Sequence, residues 1–481
     1  MSRRIILAFF IFLVSIVSAF SLHRGLAPSF SRISETIDGK EPSPQSPAPE
    51  RAYSPAFPAR VAFSSDGNLW LLDGAKSGAS PKQVTRSGSV EIIGWSQDGR
   101  WLAYLQNTSR NESPESEYLW VVNADGTLVR QVDPNAVNEM YGAPTWSPSA
   151  NIIAFSNMEQ GSKTWTGWTV KTALITDDNV TTTTILSEHN RAFDFAWAPD
   201  GQSLAVSFGR AAEDHPLRVE RINLQGERTE LFSLDNEACS TKYIADEVYS
   251  IAAVGLKWSP DSRYLAYYLR YNAGSLSTDE VPIQVMDLQN PGKPLNLGDG
   301  LHYAEWFAWS PDSRQLAFIR GIGREFTSNK HLAIVDMTSK IVKDCGQAGQ
   351  AEIQPVWING DRRSLVFCRG PEYSQAGNLG QSAPTRRIWQ LEADGTEKPL
   401  TAGTDGSADF FPEISPDGQY MSYVRVTGWE RTSIYLKPLD GGQEVELLHD
   451  LVGFNTRPMG TGAIGHGTCT LYFDESKKSF K

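Results

Sequence analysis

The residues best suited to chemistry are spread along the chain rather than gathered in a motif. No histidines have the HExxH spacing of a zinc site, and no cysteines have the CxxC spacing. The GxSxG pattern of a hydrolase nucleophile does not occur. The GxGxxG pattern at Gly460–Gly465 follows no buried strand, so we expect no dinucleotide site. The sequence therefore predicts no cofactor, no metal and no contiguous catalytic motif.

Polar and aromatic residues that are distant in sequence can still form a site if the fold brings their loops together. A mixture of charged and aromatic side chains is typical of a peptide or glycan site. Each residue taken singly also fits an ordinary polar loop or a packed core position. We predict a ligand-binding site among His189, Arg191, Asp194, His302, Tyr303, Glu305, Asp409, Phe410 and Phe411, with Trp165, Trp168, Arg320, Arg324, Arg386 and Arg387 from longer loops.

Length and composition exclude several classes of protein. The chain has 481 residues and a formal net charge of −12, with no block of basic residues, so nucleic acid is not an expected partner. Its 14 Trp, 16 Tyr and 21 Phe residues are too many for a disordered chain. Only the N-terminus holds an apolar run near the 20 residues of a membrane span. We therefore expect a folded and acidic protein, either of two to four domains or of one large repetitive domain.

The N-terminal segment has the features of an export signal. Arg3 and Arg4 precede the apolar run 5–20, and small residues at 17–19 offer a cleavage site. The run 5–22 also suits an uncleaved membrane anchor, so residues 1–27 are expected to be one or the other. Frequent prolines then predict an extended linker over residues 28–56. The protein is thus expected in the periplasm, envelope or extracellular space, with membrane contact only through this segment.

A repeat of about 50 residues organises the rest of the chain. An aromatic or aliphatic anchor is followed by a Ser-Pro-Asp-Gly type of turn, as in Trp309-Ser-Pro-Asp-Ser313, and by a Leu-Ala strand. Proline sets φ at the first corner of such a turn, and Asp bonds to its own backbone. A second turn, Asn123–Thr127, separates a third and a fourth strand. The structural anchors are Trp95, Trp146, Trp197, Trp258, Trp309, Trp357 and Ile414.

Four short antiparallel strands per repeat predict an all-β fold, a single β-propeller over residues 57–481. Eight second strands can be aligned, so we expect eight blades, with seven as the alternative. The first unit lacks an anchor strand of its own. We expect the C-terminal segment, best represented by Thr470–Phe473, to pair with the first blade and close the ring. Cys345 and Cys368 either pair across adjacent blades or are free buried thiols.

The Trp-Ser-Pro-Asp-Gly-x-x-Leu-Ala-Tyr pattern, as in 197–206, resembles the repeat of TolB-like propellers over residues 57–450. It is also similar to the propeller domain of the dipeptidyl-peptidase IV and prolyl-oligopeptidase families. Those peptidases have a separate hydrolase domain, for which about 30 residues are too few. The resemblance implies a non-catalytic binding module. We expect a monomer of the envelope or extracellular space that binds a protein, peptide or glycan through one face. The alternative is a polysaccharide lyase or hydrolase with an axial active site.

Overall fold

A computed structural model describes most of the chain after residue 48. The described residues are 49–53, 55–86, 89–107, 116–137, 142–157, 169–187, 192–209, 216–234, 248–360, 363–372, 385–403, 406–427, 431–451 and 469–473. The predicted signal or anchor and most of the predicted linker lie outside these residues. Within them, no helix has the length and apolarity needed to cross a membrane.

The regular secondary structure of the described chain is almost entirely β-strand, and the strands fall into groups of four. The first four groups are β1 (Ala59–Ser65), β2 (Asn68–Asp73) and β3 (Lys82–Gln83) with β32 (Cys469–Phe473); β4 (Ser89–Trp95), β5 (Trp101–Asn107), β6 (Ser116–Asn123) and β7 (Val129–Val137); β8 (Thr145–Trp146), β9 (Ile152–Asn157), β10 (Thr169–Ile175) and β11 (Val180–Leu186); and β12 (Ala192–Trp197), β13 (Ser203–Phe208), β14 (Leu217–Asn223) and β15 (Arg228–Leu234).

The remaining groups follow the same order along the chain. They are β16 (Ser250–Trp258), β17 (Tyr264–Tyr271), β18 (Val281–Asp287) and β19 (Leu295–Gly300); β20 (Phe307–Trp309), β21 (Gln315–Arg320), β22 (His331–Asp336) and β23 (Val342–Asp344); β24 (Gln350–Trp357), β25 (Leu365–Pro371), β26 (Arg387–Leu391) and β27 (Glu397–Pro399); and β28 (Ser407–Ile414), β29 (Tyr420–Thr427), β30 (Arg431–Pro438) and β31 (Val445–Leu451). A short helix α1 (Gly274–Asp279) and a 3₁₀ helix (Ala304–Trp306) lie in loops.

The strands pair in the antiparallel meander predicted for propeller blades. Six groups form separate four-stranded sheets, in five of which all neighbouring strands are consecutive, while in the sixth β32 pairs with β1. The two groups from β4 to β11 share one sheet, because the end of β7 pairs with the end of β9 at Ala136 and Asn157. The all-β propeller fold is therefore confirmed. The number of blades stays a prediction, since two of the eight groups are joined.

The Ser-Pro-Asp turn has the hydrogen bonds that the sequence predicts. Ser259 Oγ donates to Asp261 Oδ1 at 2.6 Å, and the same carboxylate oxygen accepts the N–H of Arg263 at 3.0 Å. The Ser259 hydroxyl also accepts the N–H of Tyr264, the first residue of β17, at 2.8 Å. Ser262 closes the turn with φ of 62°, in the left-handed region that other units fill with glycine. The turn therefore fixes the register of the first two strands in the blade.

Successive blades are joined by the indole groups of the repeat tryptophans. Trp309 Nε1 donates to the carbonyl of Lys257, the residue directly before the anchor of the preceding blade, at 3.1 Å. Four other anchors make the same hydrogen bond to the blade before them: Trp146 to Gly94, Trp197 to Thr145, Trp258 to Ala196 and Trp357 to Ala308. A buried tryptophan needs a hydrogen-bond partner for its indole N–H, and here the preceding blade provides it. The same indole fills the space between the two blades, so it sets the distance between them.

The C-terminal strand β32 supplies the strand that the first group lacks. β32 pairs antiparallel with β1, with Leu471 opposite Val61, as predicted for the C-terminal segment. On one side the Leu471 N–H donates to Glu413 Oε2 of β28 at 3.2 Å. On the other side Tyr472 packs against Trp95 of β4, with ring centroids 6.2 Å apart. One strand therefore connects the first, second and last groups in the chain.

The folded part extends further toward the N-terminus than residue 57. Ala52 N–H donates to the carbonyl of Leu447 in β31 at 3.0 Å, and Arg51 Nη1 donates to the carbonyl of Lys76 at 2.7 Å. Phe57 is buried in the core of the first and last blades. The end of the predicted linker is therefore packed against the propeller.

Candidate functional site

The structure brings three of the predicted residues together with a lysine at the inner edge of the propeller. His302, Tyr303 and Glu305 lie in the segment between β19 and β20, and Lys257 lies near the end of β16. The Glu305 carboxylate raises the pKa of each of the other three side chains, so all four share one electrostatic environment. We call Lys257, His302, Tyr303 and Glu305 the axial cluster.

A β-bulge in β16 gives Lys257 its position. The pairing of β16 with β17 shifts between Val254 and Lys257, and Gly255 has φ of 63°. A side chain at Gly255 would press on the Tyr268 ring, 2.9 Å from the place of its Cβ. Glycine is therefore required by both conformation and space. The bulge turns the following residue out of the regular alternation of the strand.

Asp194 holds this bulge in place from the neighbouring blade. Its Oδ2 accepts the N–H of Gly255 at 2.7 Å and that of Leu256 at 3.3 Å. Its Oδ1 accepts the N–H groups of Phe195 at 2.9 Å and Gly142 at 3.2 Å. Burial raises the pKa of Asp194 to about 6, against the opposing effect of these four bonds. The carboxylate of Asp194, a predicted ligand-binding residue, is thus bonded to the backbone of three blades.

Lys257 has a solvent-exposed side chain on a strand whose other residues are mostly buried. Burial lowers its pKa, and the Glu305 carboxylate offsets part of this effect. Among the described residues, none forms a hydrogen bond or ion pair with its Nζ. The ammonium group is therefore available to a ligand.

The two aromatic members of the cluster are neutral at physiological pH. Burial lowers the pKa of His302 to about 4 and raises that of Tyr303 to about 12. Tyr303 packs against Trp306, with ring centroids 4.8 Å apart, and its carbonyl accepts the Tyr268 hydroxyl at 3.1 Å. A neutral imidazole, a phenol and an unpaired ammonium suit the binding of a polar or anionic group. With a pKa near 4, His302 is a poor general acid at neutral pH.

The predicted residues of β28 are buried in the folded core. Asp409 is fully buried and forms a two-fold ion pair with Arg425, at 2.7 Å and 3.0 Å, while accepting the Thr401 hydroxyl at 2.6 Å. Phe410 is buried against Phe326. Asp409 is therefore held by an ion pair within the last blade, whereas Phe410 belongs to the buried cluster against which Tyr303 also packs.

The predicted arginines are also separate from the axial cluster. Arg320 pairs with Asp344, and Arg324 pairs with Asp279 through two bonds of 2.7 Å and 2.8 Å. Arg386 is 1% exposed, donates to the Ala351 carbonyl at 2.8 Å and has its pKa lowered by burial to about 10.

The other predicted contacts divide between partly buried residues and residues that the structure does not describe. Arg387 donates to two backbone carbonyls, and Phe411 donates its N–H to Gln354 at 2.9 Å. Cys345 and Cys368 are free thiols. Trp165, Trp168, His189 and Arg191 lie outside the described residues, so their role stays a prediction. No group of three or more His, Cys, Asp or Glu residues within the described ranges could hold a metal ion.

Sequence reasoning missed two residues at the inner edge, Lys257 and Glu413. Both directly precede a repeat anchor, where the other units have Gly94, Thr145, Ala196, Ala308 and Val356. The sequence signal for these two residues was a charged side chain at a repeat position that small or uncharged residues otherwise occupy. Burial raises the pKa of Glu413 to about 7, against the opposing hydrogen bond from the Leu471 N–H.

Comparisons with known proteins agree with the repeat. No protein-family model matches the chain. Over 110 residues, 22% of this chain, it is 28% identical to the Tol-Pal system protein TolB of Desulfosudis oleivorans (strain DSM 6200 / JCM 39069 / Hxd3), and it spans 23% of that relative's length.

Two solved structures are similar to the chain. TolB from Acinetobacter baumannii has a TM-score of 0.35 at 15% identity, over 60% of this chain and 63% of that one. The β-propeller domain of the Trilobed protease from Pyrococcus furiosus has a TM-score of 0.42 at 14% identity, over 74% and 97%. By its repeat and its four-stranded sheets the chain is a β-propeller, and over 110 residues its sequence is similar to that of a TolB protein.

Proposed function

We propose that this protein is a non-catalytic propeller of the cell envelope that binds a protein or peptide at the opening lined by the axial cluster. The observation that carries the proposal is the unpaired ammonium of Lys257 beside a neutral histidine and a tyrosine. These groups can donate hydrogen bonds to a polypeptide ligand, and the aromatic rings offer contact area.

The similarity to a Tol-Pal system protein supports the envelope as the place of action. The predicted signal or anchor at residues 1–27 and the linker that follows agree with export. A module held at the membrane by a flexible segment samples partners within the reach of that segment. A glycan ligand is the alternative within the binding class.

The proposal is tested by capture of envelope proteins on the full chain. Tyr303→Ala removes a ring and a hydroxyl from the axial cluster, whereas Ile341→Ser changes a residue that is 67% exposed in the outer turn of the same blade. We expect a discrete envelope protein to be retained by the unchanged chain and by Ile341→Ser, and to be lost with Tyr303→Ala. Equal retention by both variants would place binding elsewhere.

An axial acid–base enzyme is the second candidate, and Glu413 is the observation that favours it. A carboxyl group with a pKa of about 7 suits proton transfer near neutral pH. If the full chain cleaves polysaccharides and Glu413→Gln abolishes cleavage while protein capture is absent, the enzyme replaces the binding module. Without cleavage, the binding proposal stands alone.

A further inference from the structure

We propose that the outer strand β11 pairs with the same strand of a second copy of this chain, so that two copies form a weak dimer through a continuous sheet. This inference goes beyond the proposed function, which concerns the inner opening of the propeller. A monomer is the expectation from the sequence, and the edge formed by β11 is the reason to revise it. The pairing is antiparallel about a two-fold axis, the commonest symmetry among dimers of identical chains.

The first argument is that β11 is an unprotected sheet edge. Its sheet ends at β11, which pairs only with β10, and the four residues Thr181–Thr184 are all exposed. Natural proteins protect such edges with charged side chains, proline or a covering segment, because unpaired backbone N–H and C=O groups attract another strand. Among the outermost strands of the eight described groups, β11 alone has no Asp, Glu, Lys or Arg. The other seven carry Lys82 in β3, Asp133 in β7, Glu230 in β15, Asp299 in β19, Lys343 in β23, Lys398 in β27 and Glu446 in β31.

The second argument is that the strand is complementary to itself, which selects a second copy as the occupant. When the two-fold axis passes between Thr182 and Thr183, each of the four threonines lies opposite a threonine of the second copy. Thr–Thr pairs across strands are favourable, and β-branched residues suit a strand. The acidic turn Asp177-Asp178 of one copy lies at the opposite end of the contact from that of the other. The pairing therefore opposes no like charges.

The third argument is the extent of the contact, which sets its strength. The register between β10 and β11 shifts between Val170 and Lys171, so a bulge at Ile185 ends the regular part of the edge. Leu174 of β10 lies opposite Thr181 and is 45% exposed, so it adds apolar contact beside the edge. One strand from each copy buries less than the roughly 1,200 Å² of a stable interface, so we expect a dissociation constant of about 100 μM.

The test is sedimentation velocity of the full chain over a range of concentrations, in a mild detergent that shields the apolar run 5–20. We expect a transition from monomer to dimer centred at about 100 μM. Thr183→Lys places a charge in the middle of the edge and should weaken association by about tenfold or more. Thr229→Lys changes an exposed threonine of β15, the outermost strand of the next group, and is the matched control. This control should associate like the unchanged chain.

Two further measurements locate the contact and test its chemistry. Amide hydrogen exchange of β11 should slow as the protein concentration rises, whereas exchange of β15 should stay the same. The net charge of −12 opposes the association of two copies, and salt screens this repulsion. Added salt should therefore strengthen the dimer.

The outcomes separate this inference from the proposed function. A chain that stays monomeric at about 500 μM, or a dimer that Thr183→Lys leaves intact, overturns pairing through β11. A monomer whose β11 gains protection only when envelope extract is added pairs with another protein, which overturns the second copy as the occupant. None of these results bears on the axial cluster, which envelope-protein capture tests separately. Circular dichroism checks the fold of each variant, and Thr181→Lys on the same edge provides the second variant if Thr183→Lys unfolds.

Discussion

Replacement of Asp194 by asparagine should change how the stability of the propeller depends on pH. The carboxyl group is 7% exposed and accepts four backbone N–H groups, yet burial raises its pKa from 3.8 to about 6. The folded protein therefore holds this proton more tightly than the unfolded chain does. The stabilisation from proton binding is fully present below pH 3.8 and is lost as the pH rises through 6. A shift of this size corresponds to about 3 kcal/mol in unfolding free energy.

The measurement is urea unfolding of the unchanged chain and of Asp194→Asn at pH 4 and at pH 7.5. Since asparagine does not titrate, the advantage of the unchanged chain over the variant should be about 2–3 kcal/mol larger at pH 4. Other titrating groups are common to both proteins and cancel in the difference. Phe195→Leu, a neighbouring change without a titratable group, should give a difference that does not vary between the two pH values.

The opposite result would refute the reasoning about Asp194. If the advantage of the unchanged chain were larger at pH 7.5, the four N–H groups would stabilise the carboxylate by more than burial destabilises it. The pKa in the folded protein would then lie below 3.8. Asp194 would then clamp the bulge of β16 as an anion at pH 4 as well as at pH 7.5.

Three further predictions concern the blade contacts. Trp309→Phe removes the indole hydrogen bond of 3.1 Å, whereas the Trp95 N–H has no partner among the described residues. Trp309→Phe should therefore lower the unfolding free energy by about 1 kcal/mol more than Trp95→Phe, as measured by thermal unfolding of both variants. Gly418→Ala places a Cβ against a backbone carbonyl at φ of 67° and should lower the unfolding free energy by about 2–3 kcal/mol. Gly360→Ala, at φ of 89° in open space, should lower it by about 1 kcal/mol. Equal losses of stability in urea unfolding would contradict the steric argument. Arg425→Ala leaves a fully buried aspartate without its partner and should cost about 3–5 kcal/mol, with Arg425→Lys recovering part of the loss in the same assay.

Much of the fold could be predicted because its signals are local and repeated. The Ser-Pro-Asp turn is written in adjacent residues, and its hydrogen bonds in the structure are those that the residue types predict. The pairing of β32 with β1 is not local, but it followed from the missing anchor strand in the first unit. The joining of two groups through β7 and β9 could not be predicted, since it depends on how far β7 extends beyond its blade.

The candidate residues were harder to predict because polarity does not reveal the direction of a side chain. Asp194 and Asp409 occupy similar places before their anchors and both became buried, one bonded to backbone N–H groups and the other to an arginine. Bulges in β12 and β28 shift the alternation of these strands by a residue or more. Because a shift of one residue moves a side chain to the other face, a strict period of two gives the wrong direction there.

Lys257 shows what a repeat protein can reveal once its blades are aligned. A single sequence carries no record of its relatives, but seven copies of one unit act as an internal comparison of positions. At the place before the anchor, five of the seven copies have a backbone carbonyl that accepts the indole of the next blade, and five have Gly, Thr, Ala or Val as the side chain. Lys257 departs from that pattern with a charged side chain that is exposed to solvent. Residues that depart from the repeat at inner positions are therefore the ones to test first for function in a propeller whose ligand is unknown.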